Sequence, residues 1–245
     1  MIDYPGGRIG QGDPLVWQVD VVSGEPVSEP TSLPMDLYPA IGIPGGLAVQ
    51  HESGVSSWDS ETGSFTRLAS KGFGSPHDVH GDDLIWCRDQ CTQLVVTDTS
   101  NMEEKKFVTP TDYDMFLTSK VSPDGRMLAA PVGRQGGDYG GEAIWLLDRD
   151  SKDTFLVSDS ETHTEHLAWA PDGDQLFATS YSYGETRTAV WRYQVGNQEF
   201  STVVLPFGGA LSLVVVESTL ADAYLGDELV DPTECRGAGN CTFEF

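Results

Sequence analysis

Two stretches constrain the fold more than anything else in the chain: Val121-Ser122-Pro123-Asp124-Gly125-Arg126-Met127-Leu128-Ala129 and Trp169-Ala170-Pro171-Asp172-Gly173-Asp174-Gln175-Leu176-Phe177. Each reads as strand, tight turn, strand. Pro sets φ for the first corner, Asp can bond its own backbone, and Gly accepts the φ > 0 position that a side chain resists. The two prolines stand 48 residues apart. About 20 residues after each turn an apolar run with a Trp follows, Ala143 to Leu147 with Trp145 and Ala189 to Tyr193 with Trp191, so a whole unit repeats.

The repeat extends in both directions. An apolar strand ending on Asp, followed by a turn, occurs at Leu15 to Val27 with Asp20, at Val55 to Leu68 with Asp59, at Leu94 to Asp98 and at Ile144 to Asp148. Tyr193 takes the fifth place. All but the first are preceded by a further pair of strands. These are joined by Ile43-Pro44-Gly45-Gly46 in the second unit, by His80-Gly81-Asp82-Asp83 in the third and by the Pro-Asp-Gly turns in the fourth and fifth. The reading is therefore all-β, with four-stranded antiparallel meanders at about 37–70, 73–110, 112–159 and 162–206. Residues 15–29 and 207–220 supply half a unit each. Pairing the two halves would close a ring and remove its open edges.

No apolar spacing of helical period is sustained over more than a few residues, and no run approaches the length of a membrane span. Fourteen basic against 38 acidic residues give a net charge of −24. Phosphate recognition needs clustered Lys and Arg, so nucleic acid is excluded as a partner, and the acidic surface reads as solubilising or salt-adapted. The four cysteines fall in two close pairs, Cys87 with Cys91 and Cys235 with Cys241. Their spacings match no common zinc pattern, and in the sequence no His stands beside either pair. Two disulfides are expected, the first bridging adjacent strands, the second closing a small loop in an acidic tail at 221–245. Disulfides imply an oxidising compartment, hence an extracellular or cell-envelope protein whose export signal preceded Met1.

The phrase S/A-P-D-G-x-x-L-A/F, followed by a Trp-bearing strand ending near Asp, resembles the WD-repeat-like blade of the TolB-like β-propellers. The resemblance is sharp over about 115–206, weaker over 37–110 and absent from the tail. It implies a β-propeller of four-stranded blades, five by count or a fragment of a six- to eight-bladed disc. It further implies a binding platform, because the hydrolase domain that such blades precede in prolyl oligopeptidase-like enzymes has no G-x-S-x-G counterpart here.

Candidate sites follow from this layout. His77 and His80 form one H-x-x-H spacing and His163 and His166 another, but the propeller layout puts His80 at a turn and the other two at a loop of the opposite face. Both pairs are read as turn and loop-surface residues, with no metal and no cofactor expected. Asp148 to Asp153 lacks the Gly of a calcium loop and carries Lys152 at a ligand position, so it reads as a charged hairpin turn. Asp124 and Asp172 serve turn geometry. The binding face is placed where the chain enters each blade. Two long loops meet there, 132–142 with Arg134 and Tyr139 and 180–186 with Tyr181 and Tyr183, beside His163, Glu165 and His166. An aromatic and charged rim of this kind gives interfaces their anchors. The expectation is a monomeric, non-enzymatic module binding a protein or small ligand. A glycan-processing hydrolase or lyase with a site in the central funnel is the alternative.

Overall fold

The computed structural model describes residues 2–3, 15–16, 26, 29–33, 37, 40–44, 46–51, 54–59, 61–69, 72, 74–134, 141–157, 164–181 and 188–204. They are built from β-strands joined by turns, in two compact units, Met1–Phe107 and Val108–Phe245.

In the first unit, β1 (Ile2–Asp3), β2 (Leu15–Val16) and β3 (Thr31–Ser32) form a small sheet in that order. Leu15 and Val16 pair with β1 on one side and β3 on the other. Among the described residues, the strand that follows Leu15–Val16 in chain order and pairs with it is Thr31–Ser32. The other half of the expected closure, 207–220, and the tail with Cys235 and Cys241 lie outside the described residues. Next come β4 (Ala40–Ile43), β5 (Gly46–His51), β6 (Gly54–Trp58) and β7 (Phe65–Arg67), a meander in sequence order. A second meander follows, of β8 (Pro76–His80), β9 (Asp83–Arg88), β10 (Gln93–Asp98) and β11 (Glu103–Val108).

The second unit holds two more. In the first of these the innermost strand is split into β12 (Met115–Phe116) and β13 (Lys120–Val121). Both pair with β14 (Met127–Gly133), which continues to β15 (Ala143–Asp148) and β16 (Thr154–Leu156). The last is β17 (Thr164–Trp169), β18 (Gln175–Tyr181), β19 (Thr188–Gln194) and β20 (Glu199–Val204). Four antiparallel meanders of about four strands each are the sheet pattern of propeller blades.

Burial explains the residue choice in each strand. The middle strands are covered on both faces, so β9, β10, β14 and β15 read as continuous apolar runs, not as alternation. The last strand of each meander is an edge and carries polar or charged residues. Glu103-Glu104-Lys105-Lys106 in β11 is the clearest case, with a charge density that resists pairing to another chain. In the second unit Leu146, Leu167, Trp169, Leu176, Ala178, Trp191 and Tyr193 pack into one core that joins its two sheets. Trp169 Nε1 reaches across them to donate to the Lys120 carbonyl oxygen at 3.0 Å. In the first unit Ala48, Val55, Leu84, Trp86 and Val95 form the corresponding core, and Trp86 Nε1 donates to Thr97 Oγ1 at 2.9 Å.

The outermost turns repeat one design atom for atom. Asp59 Oδ1 accepts from the amides of Glu61 and Thr62 at 2.8 and 3.2 Å. Asp98 Oδ1 accepts from the Ser100 amide at 2.9 Å, and Asp148 Oδ1 from Asp150 and Ser151 at 2.9 and 3.1 Å. Four residues after each Asp the backbone turns left-handed, at Gly63, Met102 and Lys152, with φ of 67°, 65° and 72°. The amide of that residue closes back on the Asp carbonyl at 2.7 to 2.9 Å. Gln198, with φ of 58°, stands four residues after Gln194, the last residue of β19, so Gln194 and not the expected Tyr193 holds the Asp place in the last meander.

Candidate functional site

The two Pro-Asp-Gly turns lie at one end of the second unit's sheets. Gly125 and Gly173 have φ of 76° and 77°, and Asp124 and Asp172 each accept an amide two residues on, at 3.1 and 3.0 Å. The turns abut, since a Cβ on Gly173 would lie 3.3 Å from the Asp124 carboxylate. Asp124 is also gripped by the Ser122 hydroxyl at 2.5 Å, which holds its pKa below the usual carboxylate value against the opposing effect of burial. The pKa values of Asp59, Asp98 and Asp148 are likewise lowered, by their turn hydrogen bonds and, for Asp148, by the Arg126 guanidinium at 3.0 Å. These carboxylates make turns. Asp59, Asp98, Asp124 and Asp148 favour the ionised form and already accept from amide donors, unlike a general acid.

At the opposite end of the same sheets stand the residues read as a binding rim. Strand polarity brings together the end of β14, the start of β15, the start of β17, the end of β18 and the start of β19. Gly141 and Thr164 exchange two backbone hydrogen bonds, each 2.9 Å, and so tie the segment after β14 to the first residue of β17. Only glycine fits there, because a Cβ at 141 would fall 2.3 Å from Pro131 Cβ. Arg134 follows β14 directly. Its Nε donates to the Asp112 carbonyl oxygen at 3.0 Å, its Nη1 pairs with Glu142, and its guanidinium lies 5.4 Å from the Tyr113 ring centroid. Arg134 is therefore a clamp holding the rim together, with its side chain still half exposed.

Tyr181 ends β18 opposite Thr188, and Glu165 lies within β17 at an irregularity in its pairing with β18. His166 is in β17 opposite Thr179 and is half-buried, so it is a strand residue and not the loop-surface histidine expected. The strand starts earlier than the apolar text suggests because Thr164, though polar, is buried at the bridge to Gly141. Tyr139, Tyr183 and His163 lie outside the described residues.

A second constellation was not legible in the sequence. Cys87 and Cys91 are joined, with Cα atoms 4.6 Å apart. Cys91, however, sits in the turn after β9 and not on β10, so the bond closes a hairpin end and does not span two strands. His77 is next to it. The ligand atoms of His77, Cys87 and Cys91 all lie within 4.8 Å of one another. His77 is 8% exposed and Cys87 fully buried, which corrects the reading of His77 as a turn-surface residue. The cause is the antiparallel register of β8 on β9. Pro76 pairs with Trp86 and Asp78 with Ile85, leaving His77 in a bulge that re-aims its side chain. Ten residues of separation hide this proximity from any local motif, whereas hairpin register would have revealed it. A neighbouring glycine fits the same crowding: a Cβ on Gly74 would be 1.6 Å from the Cys87 carbonyl oxygen.

No protein-family profile and no curated protein matches this chain. Solved structures do. A protein described as a TolB from Agrobacterium tumefaciens aligns over 80% of this chain and 75% of its own, with 19% identity and a TM-score of 0.58. TolB from Acinetobacter baumannii aligns over 80% of this chain and 50% of its own, with 14% identity and a TM-score of 0.54. The tricorn protease aligns over 75% of this chain and 20% of its own, with 15% identity and a TM-score of 0.50. At these identities the likeness is one of fold. The chain has a β-propeller fold, as the repeated turn chemistry implies.

Proposed function

We propose that this chain is a non-catalytic binding module that engages a protein or small ligand through the rim carrying Arg134, Tyr139, Tyr181, Tyr183, His163, Glu165 and His166. The observation that carries the reading is the Gly141–Thr164 bridge with the Arg134 clamp. Together they pin one end of two adjacent sheets into a fixed platform from which the 135–140 and 182–187 segments depart. Rigid scaffolds that present loops in this way are common binding surfaces. The structural relatives named TolB share this fold, and placing the module in the cell envelope or extracellular space is part of the proposal. The Cys87–Cys91 bond supports the same compartment. Among the described residues no helix is long and apolar enough to cross a membrane. We read the closure of 15–29 on 207–220, and a monomeric state, as part of this proposal.

The test is a pull-down from an extract of the source envelope. Oxidised chain is compared with a variant carrying Tyr139→Ala, Tyr181→Ala and Tyr183→Ala. Partner recovery should fall sharply in the variant, and equal recovery would remove the rim from consideration.

A further inference from the structure

We propose that His77, Cys87 and Cys91 form a redox-gated zinc site, closed while the cysteines are joined and opened when a dithiol reduces them. The residues supply two thiolates and one imidazole, a ligand set that suits Zn(II) with a fourth position left for water or an incoming group. Zn–S and Zn–N bonds of roughly 2.3 and 2.0 Å hold tetrahedral ligand atoms about 3.5 to 4 Å apart. The three ligand atoms here lie within 4.8 Å of one another before any metal pulls them together. Freed of its covalent bond, the Cys91 sulfur can rotate about its Cα–Cβ bond between staggered positions toward that geometry. Cys91 lies in a three-residue left-handed run, Asp89, Gln90 and Cys91 at φ of 54°, 58° and 65°. In the oxidised protein that run holds Cys91 back over the end of β9, beside Cys87. The bulge at His77 turns the imidazole to the same point from the opposite strand.

Charge favours the site. Cys87 is fully buried, and a buried ion must be neutralised. Two thiolates, one Zn(II) and a neutral imidazole sum to zero. The nearest cation in sequence, Arg88, is engaged elsewhere, bonded to Glu104 at 3.1 Å and lying 4.6 Å over the Trp86 ring.

The opening step balances as thiol–disulfide exchange. A thiolate of the dithiol attacks the Cys91 sulfur, the half-buried one of the pair, forming a mixed disulfide and expelling the Cys87 thiolate. The second thiol of the reductant then attacks the mixed disulfide and expels the Cys91 thiolate. Two electrons enter the protein, the reductant leaves as its own disulfide, and its two protons pass to solvent as Zn(II) takes both thiolates.

The experiment uses the full chain and a Cys235→Ser/Cys241→Ser host, each reduced with a phosphine, desalted under argon and titrated with Co(II) as the spectroscopic stand-in for zinc. The reduced host should bind one equivalent with thiolate-to-cobalt charge transfer and tetrahedral d–d bands, and zinc should displace it. The oxidised protein should show neither. His77→Gln in the reduced host should shift the d–d bands and lose stoichiometric binding. In reduced protein labelled with nitrogen-15 histidine, zinc should move the ring-nitrogen signals of one of the five histidines, which keeps the role of His77 testable if the variant does not fold. Absence of cobalt binding by the reduced host, an unaltered spectrum in His77→Gln, or unmoved histidine signals would each overturn the proposal.

Discussion

The outer turns place a left-handed residue four positions after each strand-ending residue, and only one of the four is glycine. Gly63 fills it in the first full meander, but Met102, Lys152 and Gln198 hold the same conformation in the others. For an L-residue this costs about 1 to 2 kcal/mol. Replacing it with Gly removes that cost but frees the unfolded chain by about 0.4 to 1 kcal/mol. The net gain expected for Met102→Gly or Gln198→Gly is then about 0.5 to 1 kcal/mol. Little burial is forfeited at the exposed Gln198, whereas at Met102, 42% exposed, the lost contacts offset part of the gain, so Gln198→Gly should show the larger rise. In a chain of this size the full gain is a rise in Tm of about 2 °C per site. The two turns share no partner, so the gains should add. Gly63→Ala is the reciprocal control. A Cβ there meets nothing within 4 Å, so any loss is conformational, about 1 kcal/mol. Urea unfolding followed by tryptophan fluorescence gives the three values and that of the Met102→Gly/Gln198→Gly double variant. If both glycine variants were neutral or destabilising while Gly63→Ala was silent, the common left-handed turn would be the wrong account.

Gly74→Ala should destabilise by about 3 kcal/mol, because its Cβ would overlap the Cys87 carbonyl and push β9 away, whereas Gly42→Ala, with open space around it, should cost far less. Comparing their urea midpoints checks this. Acid should weaken the outer turns. The folded pKa of Asp98 is lowered, so its contribution is present above the unfolded value near 3.9 and is lost as pH falls through the folded value. The stability difference between wild type and Asp98→Asn should therefore be largest near neutrality and shrink below about pH 4, and a difference independent of pH would contradict the turn hydrogen bonds as its source. Reducing Cys87–Cys91 without metal should cost about 2 kcal/mol, the entropy of so short a loop, and hydrogen exchange should localise the loss to the end of the β9–β10 hairpin.

The meanders were legible because each is made by local chemistry. Asp at the strand end accepts from the amides two and, at Asp59 and Asp148, three residues on, and Pro-Asp-Gly folds within four residues, so the pattern survives in the text wherever the strand partners are adjacent in sequence. The same locality made Asp124, Asp148 and Asp172 readable as turn residues. Arg134 was placed at the rim, but its engagement with Asp112, Tyr113 and Glu142 was invisible, since it depends on two chain segments meeting beyond β14. His166 looked like a loop residue because polar Thr164 and Glu165 precede it. It is a strand residue because β18 extends to pair with it.

What the sequence by itself determined, then, is the unit: four strands, their turns and their order, all written in contacts a few residues long. The tertiary structure alone decided which chemistry shares a point in space. Antiparallel register with a single bulged residue carries His77 to the Cys87–Cys91 pair across a hairpin. Side chains on a strand alternate faces, so one residue of register shift changes every neighbour, and no local motif records that shift.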